Sequence, residues 1–493
     1  MNNAAPLGDA MLLTLDGSGP LSLQVYQALR GAILRGALPP GARLPSSRAL
    51  ARDMGLSRNT VLLAYEQLLG EGYAAGRHGS GTYVASEMPE DALSFMAPEG
   101  RAVTVAARRG RPRFSRFART TRNWEVSWAA HETRAAYDFR YGGPGLDFPH
   151  AAWRRVLGRR LRKMSRRDLD YGPPAGSAEL RAAVADYVQR SRGVRCRTEQ
   201  VVIVRGSQQA LDLAVRVLLD PGDAVLIEEP SYPGARAAFV AAGARVITAP
   251  VGLDGMDVGG RAATTRARLA YVTPSHQFPT GAIMSVARRL ALLAWAERID
   301  AHVIEDDYDS EYRYVGRPVE ALQGLDRSGR VIYVGTFSKL MFPALRLGYM
   351  VLPEPLVKPV LNAKALGDAG GATIEQLALA DFIRDGHFER HIRRSRLRNG
   401  ARRVALLAAI DRYLGDRVEV SGANAGLHVL LWLRQRPPRK HDLLGRIEAA
   451  GVRVYPVARF YAFPPKRPGF LLGYASLTEG EITEGIRRLA TAV

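Results

Sequence analysis

TFSKLMFPALRLGY, at residues 336–349, decides the fold of most of this chain. An apolar run from Val331 to Gly335 precedes it and indicates a buried strand. The Ser/Thr-rich turn that follows carries Lys339 and, seven residues further on, Arg346. A lysine that forms a Schiff base needs a partly desolvated pocket, because only its neutral amine is nucleophilic. Hydroxyls and an arginine beside it can hold a phosphate, so the stretch predicts a lysine site at the end of a strand.

A second stretch, AHVIEDDYDSEYRY at residues 301–314, joins an apolar run to a cluster of carboxylates. The carboxylates follow the predicted strand at its C-terminal end, where open α/β sheets place their ligands. Pyridoxal phosphate requires an acid opposite its ring nitrogen and gains from a phenol near its ring hydroxyl. Asp306 and Tyr308 match these two requirements. Asp307 and Asp309 are expected to point away from them if the strand includes these residues, because neighbouring residues of a strand alternate between its faces.

Two further stretches suit other parts of the same cofactor. VVIVRGSQQALDLAV, at residues 201–215, reads as a strand, the turn Gly206-Ser207-Gln208 and a helix. The backbone N–H groups at such a helix N-terminus can cradle a phosphate. EEPSYPG, at residues 228–234, presents Tyr232, whose ring could stack on the pyridine.

Around these stretches, apolar strand-like runs alternate with amphipathic helical segments. The runs are VVIVRG, AVLIEEP, RLAYVTP, AHVIEDD and RVIYVGT. This alternation predicts βαβ units and a mostly parallel sheet covered on both faces. We therefore predict an α/β domain over residues 134–493.

These four ordered stretches resemble the fold-type I aminotransferases, which bind pyridoxal phosphate. The resemblance implies that Lys339 forms the internal aldimine, that Asp306 pairs with the pyridinium and that Tyr308 bonds the ring hydroxyl. It places these residues around the phosphate: Gly206, Ser207, Gln208, Thr336, Ser338 and Arg346. In YGPPAG, Tyr171 matches a tyrosine that reaches the phosphate of the neighbouring subunit, which implies a homodimer.

The N-terminal residues 14–85 show a different pattern of short helices with Gly/Pro punctuation. Leu21 to Leu38 carries apolar residues at helical spacing until Pro39-Pro40-Gly41 ends the helix. Two short helices follow, from Arg48 to Met54 and from the cap at Ser57 to about Glu71. Two short helices joined by a tight glycine turn are typical of a helix-turn-helix. Residues 73–84 indicate a small β-hairpin, the wing.

This N-terminal segment resembles the GntR-type winged helix, an α+β unit, from LPSSRALARDMGLS to the wing sequence GSGTYV. The first turn of the second helix in such motifs contacts base edges, and its N-terminus holds phosphates. The resemblance implies DNA contacts by Arg48, Ser57, Arg58, Asn59 and Thr60, with His78 and Gly79 of the wing near the minor groove. The alternative for these residues is a helical hairpin whose exposed arginine and asparagine face water.

Residues 86–133 between the two domains are predicted to be a linker. They lack periodicity, and residues 101–124 hold eight arginines and no acid, which would keep the segment extended. A solvated tether is the favoured interpretation; a contact with DNA phosphates is the alternative. The net charge of +21 suits a polyanionic partner, although a genome that prefers arginine codons would also produce it.

Composition also limits the compartment. The single Cys196 excludes an intrachain disulfide and suits a reducing cytoplasm. We expect no signal peptide in MNNAAPLGDAMLLTL, and no stretch reaches the roughly 18 apolar residues of a membrane span. The sequence therefore predicts a cytoplasmic protein without a membrane partner.

The combination of winged helix, linker and aminotransferase-like domain resembles the MocR/GabR family of regulators over essentially the whole chain. The resemblance implies a homodimer that binds double-stranded operator DNA and responds to a small amine or amino acid by aldimine exchange at Lys339. Pyridoxal phosphate itself is the alternative effector. The rival interpretation is a working aminotransferase with an accessory DNA-binding domain.

Two departures from the aminotransferase pattern concern the ligand. Aminotransferases carry Asn-Pro-x-Gly, and here SHQFPTG places Phe278 at the asparagine position, with His276 or Gln277 as possible substitutes. The stretch GFLLGYASL offers only Leu472 and Gly473 where aminotransferases present a carboxylate-binding arginine. Arg459 or Arg453 could supply that charge from the preceding strand region; the alternative is that either is simply an exposed arginine. GABA-sensing relatives carry an arginine at the position of Gly234, which argues against GABA as the ligand.

Overall fold

The computed structural model describes residues 15, 17, 19–77, 80–86, 113–122, 135–143, 145–316, 319–435 and 442–493, without the side chains of residues 167, 261 and 263. The chain divides into two compact units, Met1–Pro112 and Arg113–Val493. This division falls inside the segment for which we predict a linker. Part of that segment, Arg116–Thr121, forms a short helix that packs on a helix of the second unit, so it is not extended throughout.

The N-terminal unit is a winged helix-turn-helix. Its elements are α1 (Leu21–Leu34), α2 (Ser47–Asp53), α3 (Arg58–Gly70), β1 (Ala74–Arg77) and β2 (Gly81–Val84). The two strands form an antiparallel hairpin in which Ala74 pairs with Val84. One hydrophobic core, which includes Val25, Leu29, Val61 and Leu68, joins the three helices. Helix α1 ends four residues before the predicted Leu38, because Arg35 and Gly36 cap its last turn.

The second unit is built on an eight-stranded mixed sheet. Its strands are β4 (Val201–Val204), β5 (Ala224–Glu229), β6 (Arg245–Gly252), β7 (Gly255–Met256), β8 (Leu269–Val272), β9 (His302–Asp307), β10 (Val331–Thr336) and β11 (Gly348–Val351). They run in the order β4-β11-β10-β9-β8-β5-β6-β7. The five strands β10, β9, β8, β5 and β6 are parallel, whereas β11 and β7 are antiparallel to their neighbours.

Helices cover both faces of this sheet, as the continuous apolar strands predict. The helices of this unit are α4 (Arg116–Thr121), α5 (His150–Lys163), α6 (Ala178–Arg192), α7 (Ser207–Leu218), α8 (Pro233–Ala241), α9 (Arg261–Thr264), α10 (Val286–Ile299), α11 (Leu322–Leu325), α12 (Glu354–Asp368), α13 (Thr373–Arg384), α14 (His387–Tyr413), α15 (Leu443–Ala449) and α16 (Glu479–Ala492). Val202 and Val225 pack with α7 on one face, and Val201 packs with α6 and Leu226 with α10 on the other. The α/β fold is therefore confirmed.

A smaller sheet completes the C-terminal part. It is antiparallel, in the order β12 (Val418–Ser421), β13 (His428–Leu433), β16 (Gly469–Gly473) and β15 (Tyr455–Pro456). A separate two-residue ladder joins β3 (Tyr137–Asp138) to β14 (Val452–Arg453). This ladder ties the segment after β3 to the C-terminal part of the chain, which brings residues 139–143 towards the C-terminal ends of the large sheet's strands.

Candidate pyridoxal phosphate site and DNA-binding surface

Lys339 lies three residues beyond the end of β10, at the edge where the parallel strands end. Its Nζ is 4.8 Å from the centre of the Tyr141 ring. Burial lowers the pKa of Lys339 from 10.5 to about 8, while the Asp309 carboxylate opposes the shift and Arg140 and Arg346 reinforce it. An appreciable fraction of this amine is therefore neutral, and hence nucleophilic, near neutral pH.

An anion cradle lies at the N-terminus of α7. Gly206, which precedes the helix, has φ +85°, a backbone conformation that favours glycine. The Arg346 guanidinium donates to the carbonyl of Arg205 at 2.7 Å, and a Cβ at Gly206 would lie 3.5 Å from it. Ser207 starts the helix, so its backbone N–H group has no helical acceptor. The arrangement offers an anion one guanidinium and free helix N–H groups.

The turn that carries Lys339 also carries two hydroxyls. Thr336 Oγ1 accepts from the backbone N–H of Ser338 at 3.2 Å, while Ser338 Oγ is buried without a partner among the described residues. Gln208 differs from the other predicted phosphate residues. Its side-chain amide donates to the carbonyl of Gly234 at 3.2 Å and thus ties α7 to the start of α8.

Asp306 is the next-to-last residue of β9, and its side chain is buried. Its carboxylate accepts from the Tyr271 hydroxyl at 2.9 Å and from the Ser207 hydroxyl at 3.3 Å. Burial raises the pKa of Asp306 to about 6, although the two hydroxyl donors lower it. Tyr271 was not among the predicted residues. Its only sequence signal is a single hydroxyl within the apolar run of β8, on the strand next to β9.

Asp307 and Asp309 differ from each other in orientation. Asp307 points away from the site as predicted and is bound by Arg192 and by the Tyr333 hydroxyl, each at 2.7 Å. For Asp309 the condition of the prediction is not met. Strand β9 ends at Asp307, so the alternation of faces no longer applies, and Asp309 lies near Lys339 and Tyr308.

Tyr308 is linked to His276. The Tyr308 hydroxyl donates to the carbonyl of His276 at 2.7 Å, and His276 Nδ1 is 3.1 Å from a carboxylate oxygen of Asp309. Gln277 instead donates from its side-chain amide to the carbonyl of Phe278 at 2.8 Å and to the carbonyl of Pro230 at 2.7 Å. Of the two possible substitutes for the missing asparagine, His276 is the one that the fold brings to the site.

Phe278, at the asparagine position, is the centre of an aromatic wall. Its ring centroid lies 5.4 Å from that of Tyr141, 5.9 Å from Tyr308 and 6.0 Å from Tyr232. Tyr232, which we predict to stack on the cofactor, therefore lies in the same pocket as Tyr308. The wall makes this side of the pocket apolar.

The remaining predicted residues of this unit lie at its margins. Tyr171 is 90% exposed in the single chain, a position open to a partner subunit. Arg453 lies on β14 with Nε 3.9 Å from a carboxylate oxygen of Glu448, and Arg459 is exposed in a short 3-10 helix. Arg140, for which the sequence predicts no role, lies close enough to Lys339 to lower the pKa of its amine.

The predicted DNA contacts cluster at the start of α3. Ser57 caps this helix, since its hydroxyl accepts from the backbone N–H of Thr60 at 3.1 Å, and the two hydroxyls are 2.8 Å apart. Arg58 and Asn59 are exposed on the first turn, and Arg48 is exposed on α2. Arg58 Nε reaches Ser47 Oγ at 3.5 Å. His78 and Gly79 lie outside the described residues.

No helix in the described part of the chain is both long enough and apolar enough to cross a bilayer.

Two family models match the chain in the order of its two units. Residues 21–84 match the gntR family of bacterial regulatory proteins, and residues 141–489 match aminotransferase class I and II. The chain is 40% identical to the probable rhizopine catabolism regulatory protein MocR of Rhizobium meliloti, over 98% of this chain and 95% of that protein. The chain belongs to the MocR group of GntR-type regulators.

Other relatives support both halves of this MocR-type regulator. It is 30% identical to the HTH-type pyridoxine biosynthesis transcriptional regulator PdxR of Corynebacterium glutamicum, over 98% of each chain. A kynurenine aminotransferase of Pyrococcus horikoshii, solved in complex with PMP, matches its second unit with a TM-score of 0.68 and 31% identity. That match covers 73% of this chain and 91% of the other. Membership of the family implies DNA binding and dimerisation, and the aminotransferase fold implies pyridoxal phosphate.

Proposed function

We propose that this regulator binds operator DNA through α3 and the wing and senses an amine at a pyridoxal phosphate held by Lys339. The observation that carries the proposal is the amine of Lys339, which has a lowered pKa beside an anion cradle and a buried acid. These three features suit the aldehyde, phosphate and ring nitrogen of a single small molecule. The first turn of α3 supplies the exposed polar side chains that a DNA reader needs.

Buried polar atoms support the fit of this cofactor. Ser338 Oγ and the Tyr141 hydroxyl are both buried and have no hydrogen-bond partner among the described residues. Buried polar groups without partners are costly, so each such atom favours a polar ligand next to it. Both residues lie next to Lys339, since Ser338 precedes it in the chain and the centre of the Tyr141 ring is 4.8 Å from its Nζ.

Each side chain of the site then has a task of its own. Gly206, Ser207, Thr336, Ser338 and Arg346 hold the phosphate. Asp306 keeps a proton on the ring nitrogen, Tyr308 faces the ring hydroxyl and Tyr232 covers the ring. Bound pyridoxal phosphate supplies a carbonyl carbon that accepts one amine at a time, so a ligand amine competes with Lys339.

When Lys339 is released, its amine can take up a proton, and the Asp309 carboxylate supplies the negative charge that stabilises the resulting ammonium. The Asp309 carboxylate raises the pKa of Lys339 and so stabilises the ammonium form of the free side chain. A ligand that frees Lys339 therefore changes the charge of a buried pocket. Such a change can favour one state of the dimer over another if the two states bind the ligand with different affinity.

The variant Lys339→Ala tests this proposal. Wild-type protein loaded with pyridoxal phosphate should change its visible absorbance on addition of an effector amine, and the same amine should change its affinity for an operator fragment. The variant should lose both responses but still bind the operator. An intact operator response in Lys339→Ala would disprove the sensing mechanism.

The same preparation tests the rival function. A working aminotransferase would convert many equivalents of an amino donor and a keto acid per subunit. We expect no sustained turnover, because the effector should remain bound in order to act. Steady multiple turnovers would favour the enzyme interpretation instead.

A further inference from the structure

The segment after β3 places a second cation beside Lys339. The backbone N–H of Phe139 donates to the carbonyl of Arg453 at 3.0 Å, and the N–H of Gly473 donates to the carbonyl of Phe139 at 2.9 Å. Phe139 is fully buried in the C-terminal core. These contacts hold the backbone of Arg140 in place between β14 and β16.

The end of β16 is shaped to admit this segment. A Cβ at Gly473 would lie 2.7 Å from the carbonyl oxygen of Arg140 and from the backbone nitrogen of Tyr141, so no side chain fits there. Leu472, the other residue considered for an arginine position, is buried in the C-terminal core. The strand that lacks an arginine thus accommodates a segment that carries one.

The same segment brings the guanidinium and the lysine amine together. A Cβ at Gly143 would lie 3.8 Å from Arg140 Nε, and a Cβ at Gly142 would overlap Lys339 Nζ. The guanidinium and the amine therefore lie beside adjacent glycines of one short loop. Arg140 also lowers the pKa of Lys339 electrostatically, so the two cations are close enough to interact.

Arg140 is also free to bind such an anion. Within the described ranges its guanidinium has no hydrogen bond or ion pair. The nearby carboxylate of Asp138 accepts a hydrogen bond from the Tyr455 hydroxyl at 3.1 Å instead. Several other buried arginines of this unit are ion-paired, for example Arg192 with Asp307 and Arg402 with Asp147. Arg140 is half-buried, and an ion pair is stronger where solvent is partly excluded.

The other arginines are less suitable. Arg346 is directed to the phosphate cradle at Gly206, and Arg453 faces Glu448. Arg459 is exposed. Its backbone carbonyl accepts a hydrogen bond from the Arg236 guanidinium at 3.3 Å.

We propose that Arg140 binds the carboxylate of the effector, so that the regulator senses an amino acid rather than a simple amine. This inference rests on the proposed function at Lys339. A guanidinium binds a carboxylate by charge-assisted hydrogen bonds in a planar, two-pronged geometry, which a simple amine cannot use.

Matched pairs of probes test the inference on the full-length protein loaded with pyridoxal phosphate. The pairs are glycine with methylamine, β-alanine with ethylamine, L-alanine with ethylamine, and 4-aminobutanoate with propylamine. Each is titrated by the change in visible absorbance. At least one acid should bind more tightly than its partner amine by about tenfold or more, the usual value of a charged hydrogen bond.

Variants assign that preference to a residue. Arg140→Gln should reduce the acid-to-amine ratio to about one and leave the affinity for the simple amine within about twofold. Arg140→Lys should retain part of the preference, because it keeps the charge but loses the two-pronged geometry. Arg459→Gln and Arg453→Gln are the matched controls and should keep the wild-type ratio.

The outcomes separate this inference from the proposed function. Equal affinities within every pair in wild type, or a preference that survives in Arg140→Gln, would overturn the role of Arg140 while leaving amine sensing intact. A loss of preference in Arg459→Gln or Arg453→Gln instead would move the anion site to that residue. If no probe changes the absorbance, the proposed function fails and this inference fails with it. Retention of the bound cofactor's absorbance shows that each variant is folded.

Discussion

Lys339 occupies the space that a side chain on Gly142 would need. A Cβ at Gly142 would overlap Nζ of the lysine, and the glycine has φ +77°, where other residues are strained. Gly142→Ala should therefore displace the amine and weaken attachment of pyridoxal phosphate. We expect at least a tenfold (~1.4 kcal/mol) loss of cofactor affinity, measured by absorbance titration of the cofactor-free protein.

Gly145→Ala is the control for this change. Gly145 lies in the same loop, has no positive φ, and a Cβ there would meet no atom within 4 Å. Its cofactor affinity should stay within about twofold of wild type, since a surface substitution without contacts changes energies little. Equal losses in both variants would mean that the loop as a whole, rather than the contact between Gly142 and Lys339, is responsible.

The lowered pKa of Lys339 predicts the pH dependence of cofactor attachment. The neutral amine attacks, and its fraction rises with pH until the pKa of about 8 is passed. The attachment rate should therefore rise about tenfold per pH unit below 8 and level off above it. Rapid mixing of cofactor-free protein with pyridoxal phosphate measures this rate. A rate that still climbs steeply up to pH 10 would show an ordinary, solvated lysine.

Asp309 should control that midpoint. Its carboxylate favours the ammonium form of Lys339, so Asp309→Asn should lower the midpoint of the pH profile, by roughly one unit. The same substitution breaks the contact with His276 but leaves Asp306 in place. Asp416→Asn, in an exposed turn, should leave the midpoint unchanged. A midpoint that stays at 8 in Asp309→Asn would show that the two side chains are not electrostatically linked.

The sequence could predict that Lys339, Asp306 and Tyr308 lie at one edge of the sheet, because short strings place each at or just after the end of a recognisable apolar strand. Asp309 could not be placed, since its orientation depends on where β9 stops, and strand ends are set by tertiary pairing rather than by local pattern. His276 and Gln277 are adjacent and both polar, so only the geometry of their turn decides which one reaches Tyr308.

Residues that approach the site from distant parts of the chain were the hardest to predict. Arg140 follows a two-residue strand, too short to give a periodic signal, and reaches Lys339 only because β3 pairs with β14. Tyr271 lies in a fully buried strand whose other residues are apolar. Its hydroxyl meets its partner, Asp306, because β8 pairs with β9, and the sequence does not show this pairing. Both residues reach the site through pairing between strands that are far apart in the chain, which no short stretch of sequence reveals.

The core of the winged helix provides a test of stability. Leu29 on α1 is 0% exposed, and Leu29→Ala should destabilise the N-terminal unit by about 2–5 kcal/mol through lost contacts and a cavity. Backbone amides of Leu21–Leu34 should then exchange with deuterium faster than in wild type by about tenfold or more. Leu63→Ala, at a position 55% exposed, should change the exchange by little. Similar effects of the two substitutions would contradict the packing of α1 against α3.

Arg58 and Asn59 should determine sequence preference on DNA, because they are exposed on the first turn of α3 while Ser57 and Thr60 are engaged in capping it. Arg58→Ala should weaken binding to an operator fragment by about 1–3 kcal/mol and weaken binding to random DNA much less, as expected of a contact with a base edge. Arg52→Ala, an exposed arginine at the end of α2, is the control of equal charge and should reduce both affinities by the same factor. Competition gel-shift titrations at one fixed salt concentration compare the two DNAs. If Arg58→Ala also lowers both affinities equally, Arg58 contacts only phosphate, and base recognition must come from Asn59 or from the wing.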